Sequence, residues 1–320
     1  MNSKYEINTK ENREFLKASC EDLLNFGHRF PSPNGGSYYL GDDGTPWKDR
    51  NRETWITCRM AHVYSLGLML GHEGSGELVD AALKGLRGEL HDDKNGGWYA
   101  GVTQEGGIVP NKQCYAHAFV ILAASSALTA GRPGAKELLE EALDVYDQHF
   151  WNEEEGLACD TWNTEFTVLD DYRGLNANMH TVEAFLAAGD VTGDKKYHIR
   201  AGRIIDHVIR WAEDNSWRIP EHFTKEWVAD LDCNRDRPDD PFKPYGATPG
   251  HGIEWARLIT QWALANCGEE KEKLENYLQA AENLYTTAIK DGWNADGAPG
   301  IVYTTDWNGK PVVRDRMHWT

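Results

Sequence analysis

The sequence predicts an all-α fold, a toroid of paired helices with short β-hairpins at one end, and three observations carry that expectation. Amphipathic stretches of helical period dominate the 320 residues. Gly- and aromatic-rich segments with short alternating runs recur between alternate helices, as hairpins do. No Ser/Pro tract or low-complexity block interrupts the alternation, so a single domain is expected over residues 1–320.

The helical stretches, in order, are Glu11–Phe26, Arg52–Leu70, Gly76–Leu90, Gln113–Leu128, Ala135–Phe150, Ala177–Ala188, Lys195–Ala212, His251–Ala265 and Lys271–Ile289. The hairpins are Tyr38–Gly44, Gly97–Ile108, Leu157–Leu169, Trp217–Ala229 and Gly300–Val313. Each hairpin leads to a helix whose opening turns carry polar and aromatic residues, first Trp55, Arg59 and His62, then Gln113, Tyr115 and His117. Asn176, Asn178, His180 and Glu183 follow, then His251 and Glu254, and a last start is cut short at Met317–Thr320. Helix pairs stacked in a closed ring gather equivalent helix starts around one cleft, where residues distant in sequence converge. An open solenoid with a peptide groove is the alternative, but solenoid turns are short and these hairpins are long.

Composition narrows the partners. Fifty-one acidic against 33 basic residues give a formal charge of −18, which disfavours nucleic acid and acidic membranes. The polar amino end has no signal-peptide core and no apolar run approaches a membrane span, so the expected location is cytoplasmic. Cys20, Cys58, Cys114, Cys159, Cys233 and Cys267 are scattered singly, which favours buried free thiols over zinc or disulfides. Thirteen Trp and 13 Tyr are in excess, several in Gly- and Asp-rich loops where flat rings stack on sugars. There is no phosphate-binding glycine loop, so nucleotide chemistry has no support.

The segment Tyr245–Trp255 carries the most chemistry. Thr248 is expected to cap a helix with its hydroxyl, and Pro249 suits the first helical position, which places His251 in the first turn. The positive end of the helix dipole there favours a neutral ring, and Glu254 at i+3 is expected to hold one ring nitrogen. A capped helix start that merely carries a histidine is the plainer alternative. His180 and Glu183 repeat the spacing, but Glu-x-x-His and His-Glu-x-x-His metal patterns are absent, so no metal is expected. Trp55, Arg59 and His62 share a helical stripe; Arg59 either meets a substrate oxygen or pairs with a carboxylate such as Glu53. Tyr115 is expected in the cleft and His117 in packing. Asn176 and His180 share a face suited to vicinal hydroxyls, as satisfied core polar groups also do. Asp160 and Asp170 leave a glycosidase with paired carboxylates open.

Five blocks, Trp55–Met60, Gly96–Ala100, Asn176–Phe185, Thr248–Arg257 and Gly300–Tyr303, together resemble the N-acylglucosamine 2-epimerase superfamily, and within it the aldose–ketose isomerases of mannose or sulfoquinovose. The resemblance implies an (α/α)6 barrel and cofactor-free, metal-independent interconversion of aldose and ketose through a cis-enediol, with a monosaccharide as partner. It assigns His251 as one of two catalytic histidines and Glu254 as its carboxylate neighbour. Trp55, Arg59, Tyr115, Asn176 and His180 match positions lining the sugar site, and Trp319 an aromatic that stacks there. Lys243 stands where such isomerases often carry Arg. The second catalytic histidine lies beyond the last residue, His318 belongs to another position, and five of six core-helix starts are present, so a C-terminally incomplete barrel is expected. Exposed apolar helix faces would then favour self-association as a homo-oligomer. A noncatalytic carbohydrate-binding relic is the alternative function.

Overall fold

The computed structural model describes residues 3–317. They form two compact units, the residues up to His149 with Trp162–Val168, and Phe150–Thr161 with the residues from Leu169 onward. Among the described residues the first unit holds helices α1 (Lys10–Gly27), α2 (Thr54–Met69), α3 (Ser75–Leu86), α4 (Cys114–Thr129) and α5 (Ala135–His149). The second holds α6 (Leu175–Thr192), α7 (Lys195–Asp214), α8 (Pro249–Asn266) and α9 (Lys271–Gly292).

Core and cover helices alternate, and their sequences show why. Helix α4 buries nearly every residue from Cys114 to Ala127, whereas α5 buries Leu138, Leu139, Ala142, Leu143, Val145 and Tyr146 on one stripe. Within the first unit α2 packs against both α3 and α4, and α4 against α5; within the second, α6 packs against α7 and α8, and α8 against α9. The turns inside each hairpin of helices are glycine turns. Gly193 ends α6 in the left-handed conformation (φ 73°), and Asp194 caps α7 by accepting from the Lys196 amide at 2.9 Å.

The strands are shorter than the predicted hairpins and close over longer distances. Arg52–Glu53, read from sequence as the start of a helix, is instead a strand paired with Gly101–Val102. Arg173–Gly174 pairs with His222–Phe223 in the same way, and Ala247 bridges Thr305. The segment before each of α2, α6 and α8 is thus tied to the segment after the cover helix that follows it. That tie fixes where each core helix begins. All six cysteines are free, but Cys20, Cys159 and Cys233 are half-buried rather than buried as expected.

A buried ion pair anchors the first unit. Lys112 Nζ donates to Asp92 Oδ2 at 2.9 Å and to the Gly96 carbonyl at 2.6 Å, with the paired side chains 0% and 1% exposed. Asp92 also accepts from the amides of Lys94 and Asn95. Burial opposes its charge, but hydrogen bonds from the Asn95 side chain, Lys112 and the Asn95 amide hold the carboxyl well below the usual range. Removing one partner strands the other charge. Lys112→Ala is therefore expected to lower unfolding free energy by about 3–5 kcal/mol in urea titrations, and a Lys112→Met/Asp92→Leu double variant to recover much of it.

Candidate active site

In the second unit the chemistry gathers at the starts of α6 and α8. The strand pair at residues 173–174 and 222–223 sets Glu221 beside the first turn of α6, where its carbonyl accepts from the Leu175 amide at 3.0 Å. Its carboxylate reaches α8 instead: His251 Nδ1 lies 2.8 Å from Glu221 Oε1, with the two side chains 15% and 4% exposed. A carboxylate only accepts, so Nδ1 carries the hydrogen whether or not the ring is charged. Nε2 is then the nitrogen that gains and loses a proton, and it makes no hydrogen bond among the described residues.

Three expectations about this turn are corrected. Glu254 does not hold the ring; Glu221 does. The ring is not biased toward neutrality. Burial disfavours its cation, but the charge and hydrogen bond of Glu221, with a further contribution from Glu254, outweigh that and raise its pKa above the ordinary value. A helix-terminus effect is worth about 0.3–1 kcal/mol, less than a charge-assisted bond to a buried carboxylate at about 1.5–3 kcal/mol. Finally, Thr248 occupies the cap position with extended backbone, but its hydroxyl makes no capping bond.

Glu254 belongs to a second cluster. Ligand-type atoms of His180, Glu183 and Glu254 all lie within 4.8 Å of one another. His180 Nδ1 is 3.3 Å from Glu183 Oε2, and Arg257 Nη2 lies 3.0 Å from Glu183 and 3.6 Å from Glu254. Burial pushes the Glu183 carboxyl up, but His180 and Arg257 bring it down to about 2. A guanidinium thus supplies the positive charge these carboxylates need. Asn176 is half-buried one turn before His180 on α6. Asn178, also in that turn, is structural: its amide exchanges bonds with the Ala158 amide and carbonyl at 2.9 and 3.0 Å.

Beside Glu221, His222 donates from Nε2 to the Pro244 carbonyl (2.7 Å), so Nδ1 accepts from the Tyr172 hydroxyl (2.7 Å). Lys243 places its ammonium 3.5 Å from the centre of the Tyr172 ring. Burial, then the charges of Asp160 and Glu221, push the Tyr172 hydroxyl pKa well up, so it stays a donor.

In the first unit Trp55, Arg59 and Tyr115 come together. Arg59 Nη2 donates to Tyr115 Oη at 3.2 Å, its guanidinium lies over the Trp55 and Phe119 rings at 5.6 and 4.5 Å, and the Trp55 and Tyr115 rings meet edge-on. The alternative partner Glu53 is engaged elsewhere, accepting from Trp55 Nε1 and from the Tyr39 hydroxyl. His62 contacts Ser126 Oγ at 2.7 Å. His117 packs as expected: Nδ1 faces the Gln113 carbonyl, Nε2 accepts from the Trp98 amide, and burial takes its pKa down to about 3. Trp319 and His318 lie outside the described residues.

Sequence reasoning missed Glu221, which sits in the Trp217–Ala229 segment read only as a wall of the cleft. An acidic residue next to a histidine in Ile-Pro-Glu-His, ahead of the His251 helix, is the one signal that could have drawn attention to it.

Comparison with known proteins places the chain among sugar isomerases and epimerases of the all-α (α/α)6 class. The model of the N-acylglucosamine 2-epimerase (GlcNAc 2-epimerase) family matches residues 35–320, and the chain belongs to that family. A D-mannose isomerase of Thermobifida fusca is 42% identical over 309 residues, 96% of this chain and 75% of that protein. One from Pseudomonas cannabina pv. alisalensis is 40% identical, over 98% of this chain and 76% of its own length. A crystal structure of a D-mannose isomerase aligns with a TM-score of 0.86 at 28% identity, covering 98% of this chain and 78% of that one. No helix among the described residues is long and apolar enough to cross a membrane.

The raised His251 pKa has a signed consequence. The His251–Glu221 pair stabilises the fold fully below the unfolded imidazole value of about 6.5 and loses that contribution as pH rises through the folded value. Glu221→Gln is expected to move the His251 titration, followed by NMR of the ring carbon protons, to lower pH. An unmoved titration would show that Glu221 does not set the basicity of the ring.

Proposed function

We propose that the protein is an aldose–ketose isomerase that converts D-mannose to its 2-ketose, D-fructose, through a cis-enediol, with His251 as the proton-transferring base. The observation that carries this reading is the His251–Glu221 pair, which leaves Nε2 as the basic nitrogen beside a polar cluster of His180, Glu183, Glu254 and Arg257. The identities of 42% and 40% to D-mannose isomerases support the choice of sugar.

In the open-chain aldose, His251 Nε2 takes the C2 proton. The C2–H pair forms the C1=C2 double bond, and the carbonyl pair moves onto O1, which takes up a proton. The enediol then collapses: O2 loses its proton, C2=O forms, and His251 returns a proton to C1. Bonds C2–H and O2–H break while C1–H and O1–H form, so the reaction needs no oxidant. His180 and Arg257 serve as donors to the oxygens that gain charge, and Glu254 accepts from a hydroxyl. Glu221 stabilises the imidazolium between the two transfers. The Trp55–Arg59–Tyr115 group offers flat rings and a guanidinium of the kind that bind sugars. Lys243 already faces the Tyr172 ring, which supports a neutral hexose over a sulfonated one.

The test is incubation with D-mannose, D-fructose, lyxose and sulfoquinovose in deuterium oxide. Mannose–fructose interconversion with deuterium entering at the reacting carbons is expected, and the absence of both refutes the proposal. His251→Ala should lower kcat/KM by about 10²–10⁴-fold. Because the base must be neutral, activity should fall as pH drops through a value above about 6.5, and Glu221→Gln should shift that limb to lower pH while reducing the plateau.

A further inference from the structure

A cavity of about 20 Å³ lies at the start of α8, and Arg218, Thr248, Gly252, Asp291 and Thr305 are among the residues that line it. Two of its hydroxyls, Thr248 Oγ1 and Thr305 Oγ1, have no hydrogen-bond partner among the described residues, although the residues are only 4% and 1% exposed. A buried hydroxyl left unpartnered is destabilising. Two such groups lining one cavity therefore point to a shared ligand rather than to two separate penalties.

The backbone forces the pair together. Ala247 and Thr305 exchange both main-chain bonds, at 3.0 and 2.9 Å, which sets Thr248 next to the segment carrying Thr305. Only glycine allows this approach: Gly246 has φ 92°, and a Cβ there would lie 2.1 Å from the Thr305 carbonyl oxygen. On another wall Arg218 Nε donates to Asp291 Oδ2 at 2.8 Å, and Asp291 is 6% exposed.

Charge and size select the ligand. A cation would find hydroxyl and carboxylate oxygens, but it would face the Arg218 guanidinium and the positive end of α8. An anion would face Asp291. A neutral group that both donates and accepts meets neither objection. A buried water needs about 10–15 Å³ and two to four polar partners, so the space of about 20 Å³ suffices for one water.

We propose that this cavity is a binding site for one ordered water molecule, held by Thr248 Oγ1, Thr305 Oγ1 and the Asp291 carboxylate. The water joins three elements, the residue before α8, the segment after α9 and the last turn of α9 itself. It also gives a reason for the missing cap: the Thr248 hydroxyl serves the water instead of the amides of the first helical turn.

The decisive measurement is a crystal structure of the whole chain at about 1.5 Å. Density for one water about 2.6–3.2 Å from both hydroxyls is expected. A dry cavity, or a Thr248 hydroxyl turned onto the amide of Gly250 or His251, overturns the proposal. Thermal melting supplies an independent sign. If the hydroxyls hold a water, Thr248→Val and Thr305→Val each lower Tm by roughly 2–4 °C. Thr248→Ser should then change it little, and the double valine variant should lose less than the sum of the singles. If the hydroxyls are unpartnered, valine removes a buried polar group that had no bond, and Tm stays or rises. Neither readout depends on turnover or on the identity of the sugar.

Discussion

A carboxylate as buried as Glu221 needs a cationic or donating partner, and that partner is His251. One residue thereby sets three things. Its backbone receives the first amide of α6, its strand neighbours pair with the segment before α6, and its side chain fixes the ring at the start of α8. The tautomer follows from this attachment, because the nitrogen facing the carboxylate must be the donor. The basic nitrogen is then the one left for chemistry, with a pKa raised by the same contact.

The second charge cluster works differently, and magnitudes separate the two. Arg257 is half-exposed, so its pairs with Glu183 and Glu254 contribute about 0–1 kcal/mol to stability at most. Their value lies in alignment, since one guanidinium holds two carboxylates from two helices beside His180. The Lys112–Asp92 pair is the opposite case. It is fully buried, with the ammonium also bonded to the Gly96 carbonyl and lying over the Tyr99 ring. Strong perturbation alone therefore does not mark the functional site.

Local signals were legible in the sequence and tertiary ones were not. Helical period and glycine turns placed the helices within a few residues, and Thr248-Pro249 marked the start of α8 where it falls. Helix spacing put Trp55 and Arg59 on one stripe, but the contact of Arg59 with Tyr115 and the nearness of Glu254 to His180 and Glu183 are tertiary. Glu221 was missed because it lies 30 residues from His251 in a segment with no helical period. Arg52–Glu53 looked helical because the amphipathic pattern runs through it, but pairing with the strand Gly101–Val102, far along the chain, wins. The Lys112–Asp92 pair, 20 residues apart, has no local trace at all.

Local rules fail at two adjacent features of the same turn, the Thr248 cap and the charge preference of His251, and the failures share a cause. The start of α8 is held by the Ala247–Thr305 bridge and by Glu221, so neither a side-chain cap nor the helix dipole decides its state. His117 shows what is decisive. It too sits in the first turn of a core helix and is buried, yet its pKa falls to about 3 while that of His251 rises. Burial depresses both cations. The difference is the partner: His117 meets a neutral carbonyl and an amide near Lys112, whereas His251 meets a carboxylate. Helix position and burial are common to the two rings, so the charge of the residue that each one touches is what sends the pKa of His251 up while that of His117 goes down.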